Sequence, residues 1–205
     1  PFEAFLETAE GERIVEAAVP AIPTQQVNHL VGGGYQPPSD AEGFIKAFLA
    51  IVAKIDACVT LSDATLPGNP LVYVNDQFCA TTGYTREESL GRNCRFLQGP
   101  LTGAGAVEAM VNAMRTVKDC CVRMVNYRKD GSTFDNLLLL RPVHDTNHAF
   151  RFCIGISLEA ATQCTSDRLR QVAELLAAIP TLLRTHDTAA GVTAAALSGS
   201  KKKIR

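Results

Sequence analysis

Three apolar runs, 120–128, 133–142 and 149–158, follow one another closely in the second half of the chain. Each is nine or ten residues enriched in apolar side chains, and the breaks between them hold Lys129-Asp130-Gly131 and Asp145-Thr146-Asn147, which are turn residues. Strands joined by such short breaks pair antiparallel. Two shorter strands, 59–62 and 71–74, precede them, joined by Pro67-Gly68-Asn69-Pro70. Helical stretches lie between, at 75–82, at a turn capped by Thr85 with Glu88, and at 104–117, where Val107, Met110, Val111 and Met114 recur at helical spacing. A five-stranded antiparallel sheet with helices on one face is the α+β class.

On either side of this unit the texture changes. Residues 1–38 alternate short apolar stretches with Gly and Pro, predicting a partly helical extension. Gly32-Gly33-Gly34 lacks the Lys-Ser/Thr of a phosphate loop. Ser39 and Glu42 have capping-box spacing, and Phe44, Ile45, Phe48, Leu49, Val52 and Ile55 then predict a flanking helix over 39–57. The sheet domain is placed at 58–160. Leu169, Val172, Leu176, Ile179 and Leu183 predict an amphipathic helix within 161–186, kinked at Pro180, and 187–205 reads as a solvated tail ending in Lys201-Lys202-Lys203. The start at Pro1 suggests a piece of a longer protein.

The net charge of −1 gives no field for nucleic acid, and no apolar run approaches the roughly 18 residues of a membrane span. Seven scattered cysteines, an odd number, read as reduced thiols of a cytoplasmic protein. No CxxC or paired-His spacing suggests a zinc site, and His144 and His148 fall across a turn.

The chemistry concentrates in Gly91-Arg92-Asn93-Cys94-Arg95-Phe96-Leu97-Gln98-Gly99-Pro100. Leu90-Gly91 reads as a helix stop, with glycine at the left-handed position. Cys94 then sits on a turn between an amide and a guanidinium, surroundings that favour thiolate character while burial opposes it. No histidine lies nearby in sequence to serve as the base of a hydrolase nucleophile.

This decapeptide resembles the signature of LOV domains, the flavin-binding blue-light sensors of the PAS superfamily. The similarity to phototropin-type LOV domains extends over about 59–160, through Asp63, Leu66-Pro67, Asn69-Pro70, Asn75, Phe78, Thr82, Tyr84, Arg86-Glu87-Glu88, Asn126-Tyr127, Lys129-Asp130-Gly131, Asn136 and Gly155. The resemblance implies a PAS/LOV fold and a sensor in which Cys94 bonds reversibly to the flavin C4a carbon in blue light. It implies FMN as cofactor, with riboflavin and FAD as alternatives. Asn93 and Gln98 would hold ribityl and ring-edge groups, Arg95 the phosphate, and Asn126 with Asn136 the pyrimidine edge. Thr60, Leu138 and Gly155 would complete the pocket, Gly155 by allowing close approach to the ring.

Two positions depart from the family pattern. Ser157 stands where a glutamine usually contacts the ring, and Val111 where a second phosphate-binding arginine is common, with Arg115 one turn on as a substitute. For both asparagines to face one pocket, Lys129-Asp130-Gly131 must form a three-residue loop, with Met124 opposite Asn136. Leu138, Leu140, Cys153, Gly155 and Ser157 then face the pocket. Val125, Tyr127, Leu137, Leu139, Phe152, Ile154 and Ile156 form an apolar back that a helix or a partner must cover. The output would pass through the flanking helices, to a second copy or to an output domain, with the chain itself sensory rather than enzymatic. The second reading is a light-independent flavin-binding PAS module for redox sensing or dimerisation.

Overall fold

Alternating apolar strands and amphipathic helices can bury their faces together only by stacking in layers, and a computed structural model of the chain, describing residues 34–183, shows that arrangement. Helix α1 (Glu42–Val52) precedes strands β1 (Cys58–Asp63) and β2 (Leu71–Val74). Helices α2 (Asp76–Thr82) and α3 (Arg86–Ser89), a 3₁₀ turn (Cys94–Leu97) and α4 (Ala104–Thr116) come next. Strands β3 (Cys120–Tyr127), β4 (Thr133–Asp145) and β5 (Phe150–Glu159) lead to α5 (Ala160–Gln163), α6 (Ser166–Ala178) and β6 (Leu182–Leu183). The sheet runs β2-β1-β5-β4-β3, antiparallel throughout, and β6 adds a parallel sixth strand beside β4. The expectations for 1–33 and for the tail at 187–205 lie outside the described residues.

The β3–β4 hairpin has the expected register. Met124 pairs with Asn136, Arg128 N–H donates to Ser132 O at 2.8 Å, and Gly131 has φ +83°. Glycine reaches that left-handed region without Cβ strain, which lets three residues close the loop. Asn126 and Asn136 therefore share a face.

The back of the sheet is covered from within the chain. Phe44, Ile45, Phe48, Leu49 and Val52 of α1, with Val172 and Leu176 of α6, pack on Val59, Leu61, Phe152, Ile154, Ile156 and Leu158. Phe44 stacks on Phe152 at 5.5 Å, and Phe48 meets Tyr73 edge-on at 5.4 Å. Arg151 clamps the start of α1 through two hydrogen bonds to Asp40, at 2.8 and 2.9 Å. Tyr35 adds a bond to the buried Asp63 at 2.7 Å. Arg168 of α6 pairs with Asp56 at 2.6 Å, tying the two covering helices together at the head of β1.

Three local expectations are corrected. Ser39 falls inside a 3₁₀ turn (Ser39–Ala41), and α1 begins at Glu42 without a side-chain cap. The continuous helix expected within 161–186 is instead α5, α6 and β6. Pro180 disfavours a helical conformation at Ile179, which is extended (φ −81°, ψ 126°), so the chain ends its helix at Ala178 rather than kinking. Strand β4 also continues past Pro142 to Asp145. Between the last β3 pair at Leu140 and the β6 pairing at His144 that side of β4 is open, so the missing proline N–H costs no ladder bond there.

Candidate functional site

The decapeptide folds as a hinge-like turn held at both ends. Capped by Thr85 and Glu88 in a full capping box, α3 stops at Leu90, and Gly91 turns the chain at φ +78°. Gly91 N–H donates to Leu71 O, and Leu71 N–H to Arg92 O, each at 2.8 Å, which aligns this segment along β2. Asn93 then caps the 3₁₀ turn, its Oδ1 accepting from Arg95 N–H at 3.0 Å while its Nδ2 donates to Gly68 O at 2.5 Å. On leaving the turn the chain passes flat against Tyr127. A Cβ on Gly99 would lie 2.5 Å from that ring, and Tyr127 Oη accepts from Leu101 N–H at 2.8 Å.

Between this turn, α4 and the inner face of the sheet lies a cavity of about 380 Å³. Cys94, Asn93, Arg95, Gln98, Thr60, Val111 and Gly155 all line it, as seven of the expected site residues. Cys94 is half-buried, and burial pushes its thiol up from the ordinary range; a backbone amide and Arg95 pull the other way and lose. Of the two opposed influences read from the sequence, burial prevails, and it favours the thiol form of Cys94. His144, at the end of β4, and His148, in the β4–β5 turn, do not line the cavity.

Further along the same sheet face are Leu138, Asn136 and Ser157, with Asn126 beside them on β3. None is among the residues lining the cavity. The three polar ones form a hydrogen-bonded line in which both asparagines are buried: Asn126 Nδ2 donates to Leu97 O at 3.0 Å, and Asn136 Nδ2 donates to Asn126 Oδ1 at 2.7 Å and to Ser157 Oγ at 3.2 Å. Leu97 closes the Cys94 turn, so the asparagine pair is bonded directly to it. Asn136 Oδ1 is buried and has no hydrogen-bond partner among the described residues. A buried acceptor left in that state costs free energy of about 1–3 kcal/mol, which a donor N–H would recover.

Two expected residues behave differently. Arg115 is exposed and does not line the cavity; a four-residue step carries it a full turn beyond Val111, into an adjoining groove along α4 with Glu108 and Asn112 that Val111 also lines. Gly155 lines the cavity, but a Cβ there would first meet Thr60 Oγ1, at 2.5 Å, on the neighbouring strand. Its small size makes room for Thr60, which stands opposite it in the ladder.

Sequence reasoning missed Ser62, Asn69 and Leu71 as cavity residues and read Val107, Met110 and Met114 of the α4 stripe only as a helical period. That stripe is the stronger signal. Val107, Met110, Val111 and Met114 all face the cavity, and of α4's thirteen residues only Ala113 is buried. Cys153, beside them, touches Met114 sulfur to sulfur at 3.4 Å, its thiol lifted far above its usual range by burial, with Cys94 adding to the shift.

The residues suit a flat, partly apolar heterocycle. Apolar side chains of α4 and the sheet offer two walls, Arg95 stands exposed on the lining, and further along the same sheet face Asn136 Oδ1 is a buried acceptor without a partner among the described residues. A flavin has these features.

Comparison with known proteins gives the family. A PAS-domain family model matches residues 56–158, and the chain belongs to that family. Within it, the chain is a LOV domain of the PAS superfamily. It is 41% identical to Phototropin-2 of Oryza sativa over 108 residues, covering 53% of this chain and 12% of that protein. It is 37% identical to Blue-light-activated histidine kinase 2 of Erythrobacter litoralis over 128 residues, covering 62% of this chain and 37% of the kinase. The chain thus spans well under two thirds of the length of these relatives. Among solved structures, the LOV domain of an Erythrobacter litoralis blue-light-activated histidine kinase superposes with a TM-score of 0.50 at 40% identity, covering 52% of this chain and 97% of that one. The dark structure of the blue-light photoreceptor Aureochrome1 LOV gives 0.52 at 33% identity, covering 62% and 89%.

Proposed function

We propose that this chain is a blue-light sensor module in which Cys94 forms a reversible covalent bond to a bound flavin, FMN being the expected form. The observation that carries the reading is the under-buried apolar stripe of α4, facing a cavity that Cys94 shares. A helix folds with such a stripe unburied at a cost of roughly 25 cal/mol per Å² of apolar surface left wet, and a planar ligand in the cavity removes that cost.

When bound, the flavin supplies the blue-light absorption and the electrophilic carbon that a thiol can attack. The protein's residues do the rest. The 3₁₀ turn presents the Cys94 thiol, and the Asn126–Asn136 pair holds the pyrimidine edge. Ser157, in place of the family's usual glutamine, leaves Asn136 as the longer amide reaching that edge. Along β5, Gly155 and Ser157 face the site while Ile154, Ile156 and Leu158 face the cover, so a change in the cavity is one strand's thickness from α1 and α6. We place the output in those helices, acting on a second copy or on an output domain of a longer protein. Among the described residues no helix is long and apolar enough to cross a membrane.

The test is optical. The purified protein is expected to be yellow, to bleach under blue light and to recover in the dark. A flavin-loaded protein that does not bleach contradicts the reading and leaves the light-independent PAS module in its place.

A further inference from the structure

Riboflavin and FMN share one ring system and differ at the end of the ribityl chain, where one carries a hydroxyl and the other a phosphate. The mouth of the cavity is therefore where a protein would tell them apart. Among the described residues that line the cavity, Arg95 is the one cation. It is exposed, and its Nε donates to Asn93 Oδ1 at 3.1 Å, so a phosphate would meet only the terminal nitrogens. On the α4 wall stands Val111, 46% exposed and apolar.

Of the other nearby guanidiniums, one is engaged elsewhere and one lies a helical turn away. Arg92 lies over the Phe96 ring at 4.0 Å and donates to Glu88 O at 3.1 Å. Arg115 lies in an adjoining groove that shares Val111 with the cavity, and Glu108 in that groove is a carboxylate that disfavours an anion there. A phosphate leaving the mouth meets the solvated Arg95 and the hydrophobic wall of Val111, with Arg115 reached only in the neighbouring groove that Glu108 also lines.

We propose that this cavity selects for the flavin ring and scarcely for the 5′-phosphate, so that riboflavin and FMN bind with similar affinity. The inference rests on the flavin reading given above. Ring burial is common to both ligands and sets most of the affinity. A single exposed ion pair in high dielectric changes Kd by only about fivefold.

Titrating the flavin-depleted full chain with riboflavin and with FMN, followed by flavin fluorescence, tests this. The two Kd values are expected to lie within about tenfold of each other at physiological salt. R95Q is expected to bring their ratio to about one, and V111R, which adds a second guanidinium at the mouth, to shift it about tenfold toward FMN. An FMN preference above about a hundredfold, or a ratio unmoved by V111R, overturns the selectivity while the flavin reading stands. Binding of neither flavin overturns both.

Discussion

Replacing Cys94 by Ala is expected to leave a folded, yellow protein that no longer bleaches in blue light. The substitution removes one sulfur from a half-buried position at the cavity wall. The turn itself is held by Asn93, by the Gly91–Leu71 pairing and by Asn126 Nδ2 on Leu97 O, none of which uses the thiol. Flavin retention should therefore survive while the covalent chemistry is lost entirely. Because burial holds Cys94 as a thiol with its pKa raised, the wild-type bleaching yield should not follow a thiol titration between about pH 6 and pH 8.5. A yield that climbs through that range would mean that the reactive form is a pre-existing thiolate. Absorption before and after illumination, across that range, gives both answers.

Phe48→Ala is expected to have the largest effect on stability. Phe48 is wholly buried, edge-on to Tyr73 and 6.1 Å from Phe44, at the centre of the contact between α1 and the back of the sheet. Truncating a buried phenylalanine costs about 3–5 kcal/mol, the sum of lost transfer energy and the cavity left behind. For a domain with a total of about 5–15 kcal/mol this is a large share, and Tm should fall by roughly 10 °C. The site lies on the other face of the sheet, so bleaching should persist below the new melting temperature. A thermal melt that does not move would show that α1 is not docked in solution, and the cover assigned to the sheet would then have to come from elsewhere.

The fold was legible where local chemistry and the sheet's period of two agree. Lys129-Asp130-Gly131 demanded a three-residue loop, that loop set the register, and the register put Asn126 and Asn136 on one face and the apolar back on the other. The size of that back required a cover, and the two flanking amphipathic segments were the available material. Legibility ended where partners distant in sequence decide. Nothing local marks Leu182–Leu183 as a strand, because its ladder partners are His144 and Asp145, and Pro180 signals only that the helix breaks. Asp40 gave no hint that Arg151 would hold it, in a segment where the expected Ser39 cap does not form.

At the site, the motif located the Cys94 turn and its neighbours, yet a helical stripe reads the same whether it faces a core or a cavity. The spacing of Val107, Met110, Val111 and Met114 is therefore equally compatible with packing and with a ligand wall, and it does not separate Arg115 from the pocket. Gly155 shows the same limit from the other side. Its smallness was legible, but the group it accommodates is Thr60, on a strand some ninety residues earlier.

The central claim is that light converts the Cys94 thiol to a thioether on bound flavin and that darkness restores it. Infrared difference spectroscopy of the S–H stretch reads that event at the sulfur itself. An S–H band present in the dark, lost on illumination, recovered with the flavin absorption and missing from Cys94→Ala is the predicted result. Bleaching of the flavin with every S–H band unchanged would contradict it.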